Sequence, residues 1–118
     1  MPRLLLLLAC TSLGAAVFGC HAKSTLTPLQ AQGKQLFDVG CAHCHVSNDQ
    51  HMEPPPPDLR GLFRRPALPG GEPATDAAIE HLLIAGKGSM PSFAYQMTPE
   101  QRTAVIAWLH VDADAPQP

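Results

Sequence analysis

Several things are scarce in this 118-residue chain, and each scarcity narrows its function. Charge is scarce: 15% of residues are Asp, Glu, Lys or Arg, with 8 basic against 10 acidic. No basic surface of the kind that neutralises phosphates is available, so nucleic acid is excluded as a partner. Cysteine is limited to four residues, and their placement provides no disulfide framework. No internal repeat is visible. No apolar run is long enough for a bilayer: the uncharged stretch from Leu4 to Phe18 is about 15 residues, where a spanning helix needs about 20. The length leaves room for one domain and not two.

That apolar stretch follows a short basic start, Met1-Pro2-Arg3, and has the build of a signal-peptide core. It ends Val17-Phe18-Gly19-Cys20, which resembles the lipobox of bacterial lipoproteins, where the Cys becomes the lipidated first residue of the mature chain. Phe18 stands where that pattern usually has a small residue. The expected organisation is a signal peptide over 1–19, lipid on Cys20, a tether over 20–26, a folded domain over 27–112 and a disordered tail over 113–118. Ordinary cleavage near the same point, giving a soluble periplasmic protein, is the alternative. Cys10-ended processing would leave a core of only five leucines and is rejected. The tether reaches only about 20 Å at about 3.5 Å per extended residue, so an anchored domain works close to a membrane surface. With Cys10 removed and Cys20 acylated, only the pair Cys41 and Cys44 remains.

Three helices are expected. Thr27-Pro28-Leu29-Gln30 joins an N-cap hydroxyl, proline at the first helical position and glutamine at the third, a capping box. Leu29, Gly33, Leu36 and Phe37 then recur at helical spacing, and Gly40 stops the run. A second helix begins at Thr75 or Asp76, buries Ile79, Leu82 and Leu83, and ends at Gly86. The last repeats the first start in Thr98-Pro99-Glu100-Gln101 and turns Val105, Trp108 and Leu109 inward. Between Val46 and Ala74 there is little periodicity and much Pro and Gly. A loop so long in so small a domain is reasonable if it wraps something other than protein, and a large apolar cofactor would supply buried surface that three short helices lack.

The chemistry is concentrated in Cys41-Ala42-His43-Cys44-His45. Two thiols three residues apart can each add to one vinyl group of haem, with the adjacent imidazole under the iron; this is the haem c attachment spacing. A redox dithiol would want a βαβ context, and a zinc site a second pair of ligands. Neither occurs in the chain. His45 is the expected proximal ligand, and His43 is expected to be solvated. The sixth ligand should be a soft, neutral group far off in sequence. Met52 is too near His45, and Met97 sits just before a helix cap and fits a packing role. Met90, in Gly86-Lys87-Gly88-Ser89-Met90-Pro91-Ser92-Phe93, has glycines that permit close backbone approach and a proline that stiffens the strap. His51, His81 and His110 read as surface histidines.

In these landmarks the chain resembles a class I, mono-haem cytochrome c of the bacterial lipoprotein type, over about Pro28 to Leu109. Gly33 and Phe37 resemble the pair that packs on the terminal-helix aromatic, here Trp108. Pro57-Asp58-Leu59-Arg60-Gly61-Leu62-Phe63-Arg64-Arg65 resembles the family's Gly-Pro-Asn-Leu-x-Gly-Leu-Phe-Gly-Arg stretch, and Met90-Pro91-Ser92-Phe93 the distal strap. Pro56 and Arg64 stand at family glycines, and the usual mid-chain Trp is missing. The resemblance implies an all-α fold, three main helices and a long loop around one covalent haem c with its iron. It implies that the Pro57 carbonyl accepts from His45 Nδ1, that Leu59 packs on the ring, and that Arg65 lies near a propionate.

The expectation is therefore an electron-transfer protein and not an enzyme. It would hold haem at Cys41 and Cys44 with His45 and Met90 on the iron, and meet redox partner proteins at the periplasmic face of a bacterial membrane. It would serve there as a carrier in a respiratory chain or as the cytochrome subunit of a membrane dehydrogenase or oxidase. A haem enzyme or gas sensor would need Met90 off the iron. A purely structural lipoprotein would leave Cys41, Cys44 and His45 unexplained.

Overall fold

The computed structural model of the protein describes residues 26–111. The expectations for the signal peptide, Cys20, the tether and the tail lie outside these residues, apart from Leu26 at the end of the tether. Four α-helices follow one another: α1 Pro28–Gly40, α2 Ala42–His45, α3 Asp76–Ala85 and α4 Pro99–Leu109. A 3-10 turn, Leu62–Arg64, stands between α2 and α3. There is no strand among the described residues, only two isolated bridges, Ala67 with Pro73 and Lys87 with Met90. The fold is all-α. The three expected helices are α1, α3 and α4, and the one-turn α2 and the 3-10 turn add to them.

Both capping boxes form. Thr27 Oγ1 accepts from the Gln30 amide at 3.2 Å while Gln30 Oε1 accepts from the Thr27 amide at 2.9 Å, and Thr98 and Gln101 repeat this at 3.2 and 2.8 Å. Thr75, rather than Asp76, caps α3, accepting from the Ala78 amide. In each case an orphan amide of the first turn finds a partner within four residues of sequence.

Helices α1 and α4 meet most closely at Gly33. A Cβ there would fall inside the Ala104 carbonyl and 2.9 Å from Trp108 Cβ, so the absence of a side chain sets the helix separation. Phe37, Ala104 and Val105 are buried around this contact. Trp108 is half-buried, with Lys34 Nζ 5.5 Å from its ring centre. The inward face of α1 is centred on Gly33 and Phe37, and Leu29, expected to share it, stays 43% exposed.

A second cluster joins Leu62, Leu68, Ile79, Leu83, Phe93 and Ile106, with Leu59, Phe63, Leu82, Met90, Met97 and Leu109 partly buried against it. Two of its buried members, Leu62 and Leu68, come from the long loop. That loop is therefore held partly by protein packing, and wrapping a cofactor is not its whole account. Arg102 is buried among these helices, with Nε 2.7 Å from Glu80 Oε1 and its guanidinium donating to the Met97 carbonyl at 2.7 Å. No helix among the described residues is long and apolar enough to cross a membrane.

Candidate functional site

The site is built where α1 ends and α2 begins. The Cys41 amide closes α1 on the Phe37 carbonyl at 2.8 Å, and the Cys41 carbonyl accepts from the Cys44 and His45 amides at 3.1 and 2.9 Å. Cys41 thus caps both helices, with φ −121° and ψ −38°. Its position brings Cys41, Cys44 and His45 into a single turn, three and four residues apart and so on one face. Both thiols are free; Cys41 is buried and Cys44 half-buried. Burial, and then the charge of Cys44, pushes the Cys41 thiol up to about 11. A reactive dithiol needs a thiolate stabilised near neutral pH, so this environment opposes the redox-dithiol reading.

His45 is oriented by the loop. Its Nδ1 lies 2.8 Å from the Pro57 carbonyl. A carbonyl can only accept, so Nδ1 is the donor; in the neutral ring this leaves the lone pair on Nε2, the tautomer a metal ligand needs. Pro57 in turn precedes a tight hook. Asp58 accepts from the Arg60 amide at 2.9 Å and from its guanidinium at 2.8 and 2.6 Å. Those bonds hold the Asp58 carboxyl below its ordinary range. Arg65, expected from the family resemblance near a propionate, donates to the Arg60 carbonyl at 2.8 Å.

The strap that carries Met90 leaves α3 at Gly86, where φ is +71° and a Cβ would stand 2.6 Å from the Met90 carbonyl; only glycine allows that approach. Lys87 and Met90 exchange main-chain bonds at 3.1 and 3.0 Å. The far end is pinned by Ser92 Oγ on the Ile84 carbonyl at 2.6 Å and the Phe93 amide on the Leu83 carbonyl at 2.7 Å. Met90 and Leu59 are both half-buried against the same apolar cluster. Met97 also packs there, and a Cβ on Gly40 would lie 3.7 Å from its Cε. Met52 remains in the loop, its main chain bonded at both amide and carbonyl by the Asn48 side chain.

Of the other histidines, His43 is exposed and 2.9 Å from Asp49, and His51 and His81 are exposed. His110 is exposed too, as expected, but it is not without partners. Its ring stacks on Phe63, centres 3.7 Å apart and planes 11° apart, and Nε2 lies 2.7 Å from Asp76. Arg102 was missed as well, although it falls three and four residues before Val105 and Ile106, which puts a charge on the inward stripe of α4. Among the described residues no three His, Cys, Asp or Glu side chains are grouped to hold a metal ion.

The donor set suits haem c. Two thiols on one turn match two vinyl groups, an imidazole has its Nδ1 engaged by a carbonyl, and a partly exposed apolar cluster includes a thioether. The fold and this set define a class I cytochrome c. Residues 28–109 match the family described as cytochrome c oxidase, cbb3-type, subunit III, and the chain belongs to it. Cytochrome c6 of Tetradesmus obliquus is 31% identical over 83 residues, 70% of this chain and 90% of the relative. Cytochrome c6 of Rippkaea orientalis is 29% identical over 85 residues, 72% of each chain. As a member, the protein binds one covalent haem c with its iron, and it is an electron carrier rather than an enzyme, passing electrons to redox partners.

Proposed function

We propose that the haem is bound by thioethers from Cys41 and Cys44, with His45 and Met90 on the iron. Leu59 packs against the ring, and Arg65 lies at the propionate side of the loop. The observation that carries this reading is the 2.8 Å bond between His45 Nδ1 and the Pro57 carbonyl, because it leaves Nε2 as a free donor beside two thiols. With His45 and Met90 both holding the iron, the bound haem would have no open position; thioether sulfur would favour the ferrous state, leaving one-electron transfer as the available chemistry.

The test is a visible spectrum of the holoprotein with two substitutions. Met90→Ala should abolish the sulfur-to-iron charge-transfer band, lower the reduction potential and let carbon monoxide bind the ferrous form readily. Met97→Ala should leave all three as in wild type. A wild type that binds carbon monoxide readily would favour an open-iron sensor. Loss of the band in Met97→Ala would move the ligand to that residue.

The site of action is the periplasmic face of a bacterial membrane, reached through a lipid on Cys20 and the short tether after it. There the chain is the cytochrome subunit of an oxidase or dehydrogenase, or a carrier to one; the description of its family supports the first. A freely soluble carrier is the second reading, favoured by relatives that are both called cytochrome c6. Fractionation separates them. An anchored protein sediments with membranes and is released, haem intact, by Cys20→Ser. A wild type already in the detergent-free supernatant establishes the soluble form.

A further inference from the structure

Arg102 is a charged side chain buried to 7% exposure, and neither haem attachment nor helix packing accounts for it. A buried ion pair is weak evidence for stability, since desolvation offsets most of the attraction and an apolar pair of similar size often serves as well. What sets this one apart is a third partner. Arg102 Nε pairs with Glu80 Oε1 on α3 at 2.7 Å, and NH1 donates to the Met97 carbonyl at 2.7 Å. Met97 lies at the end of the segment that runs from α3 through the Met90 strap to the cap of α4.

Followed along the chain, these bonds close a ring. The Gly86 amide ends α3 on the Leu82 carbonyl at 2.8 Å. Ser92 and Phe93 bond back to the Ile84 and Leu83 carbonyls at 2.6 and 2.7 Å. The Gln96 and Met97 amides turn onto the Phe93 carbonyl at 3.2 and 3.0 Å. Arg102 then joins the Met97 carbonyl to Glu80, back on α3. Its planar fork suits two acceptors at once, which a single ammonium does not. Glu80 Oε2 is buried with no hydrogen-bond partner among the described residues, so Arg102 is the group that compensates this carboxylate.

We propose that Arg102 is a positioning residue for the distal side of the haem. By tying the Met97 carbonyl to α3 it fastens the turn that follows the far end of the strap and so helps hold Met90 in place. This rests on Met90 being the second axial ligand. The consequence is kinetic and thermodynamic resistance of that ligand to displacement, separable from the stability of the domain.

The test compares ferric holoproteins by imidazole titration, read as loss of the sulfur-to-iron charge-transfer band, and by urea unfolding. Replacing both charges, Arg102→Met with Glu80→Leu, keeps the volume apolar and removes the tie. Imidazole should then bind roughly ten-fold more tightly, the scale of one lost hydrogen bond to a charged group. The unfolding midpoint should change far less than that affinity implies. Arg102→Lys should fall between wild type and the double variant. In wild type, the Phe93 and Met97 amides should exchange with solvent only as slowly as those of α4. Unchanged imidazole affinity in the double variant would overturn the proposal. So would an increase that merely follows the loss of global stability, or separate local opening of those amides in wild type. Met90→Ala is the control: if it leaves the band intact, the ligand reading itself has failed, whereas a lost band there with no effect at Arg102 removes only the positioning role.

Discussion

The α1–α4 pair and the loop from Val46 to Ala74 are held by opposite means. The helices start with the same four-residue device, cap themselves locally, and meet at a point with no slack, Gly33 against the Ala104 main chain. The loop has one 3-10 turn and one isolated bridge, yet it supplies Leu62 and Leu68 to the core and the carbonyl that orients His45. Its attachments are separate and specific, among them a buried leucine at two points, the Pro57–His45 bond, Phe63 stacked on His110, Asp49 beside His43 and Glu72 paired with Lys87. The helix pair is a frame stabilised by continuous contact, whereas the loop is fastened at separate points. A change at one such point should loosen the haem side of the molecule without dissolving the frame.

The largest effect expected from breaking this contrast is at Gly33. In an exposed helix interior, Gly→Ala stabilises by about 1 kcal/mol through propensity. Here the added Cβ meets backbone, which cannot rotate aside, and Trp108 Cβ at 2.9 Å. Gly33→Ala should therefore reverse the sign and destabilise by about 2–3 kcal/mol, as overpacking does. Urea unfolding of the holoprotein measures it, and amides of α1, α4 and the loop should all lose protection together. A variant as stable as wild type would mean that the helices can move apart, and the frame would not be rigid.

What could be read from the amino-acid sequence follows the same division. The capping boxes at Thr27 and Thr98, the cap at Thr75 and the turn holding Cys41, Cys44 and His45 were legible because every partner lies within about four residues. The Pro57 carbonyl opposite His45 was reached only through resemblance to a family, since nothing local links residues twelve apart. The Arg102–Glu80 pair, 22 residues apart, and the His110–Asp76 contact, 34 apart, depend on how helices pack after they form. The spacing of Arg102 to Val105 and Ile106 carries an inward signal that went unread, and even that signal does not name its partners. Leu62 and Leu68 carry no periodic signal, because an irregular loop buries side chains by its path rather than by a repeat. Leu29 fails for the converse reason: its spacing is helical, yet the contact with α4 is centred farther along.

The smaller effect, and the sharper probe of point fastening, is at His110. Its bond to Asp76 joins two exposed groups, 46% and 66%, and such a pair contributes little. The stack on Phe63 is the larger contribution, since aromatic pairs add about 0.5–1.5 kcal/mol beyond the area they bury. His110→Ala should therefore destabilise by about 1 kcal/mol. Hydrogen exchange should accelerate at loop amides such as Arg64 and Leu68, whose bonds to the Gly61 and Glu72 carbonyls are at 3.0 and 2.7 Å. Amides in the middle of α1 should keep their protection. His110→Phe retains a ring over Phe63 and drops the Asp76 bond, so it should restore most of the loop protection. If His110→Phe instead behaves like His110→Ala, the bond to Asp76 is the fastening and the ranking of the two contacts is reversed. If α1 loses protection along with the loop in either variant, then loop and frame open as one unit, and the contrast between them does not hold.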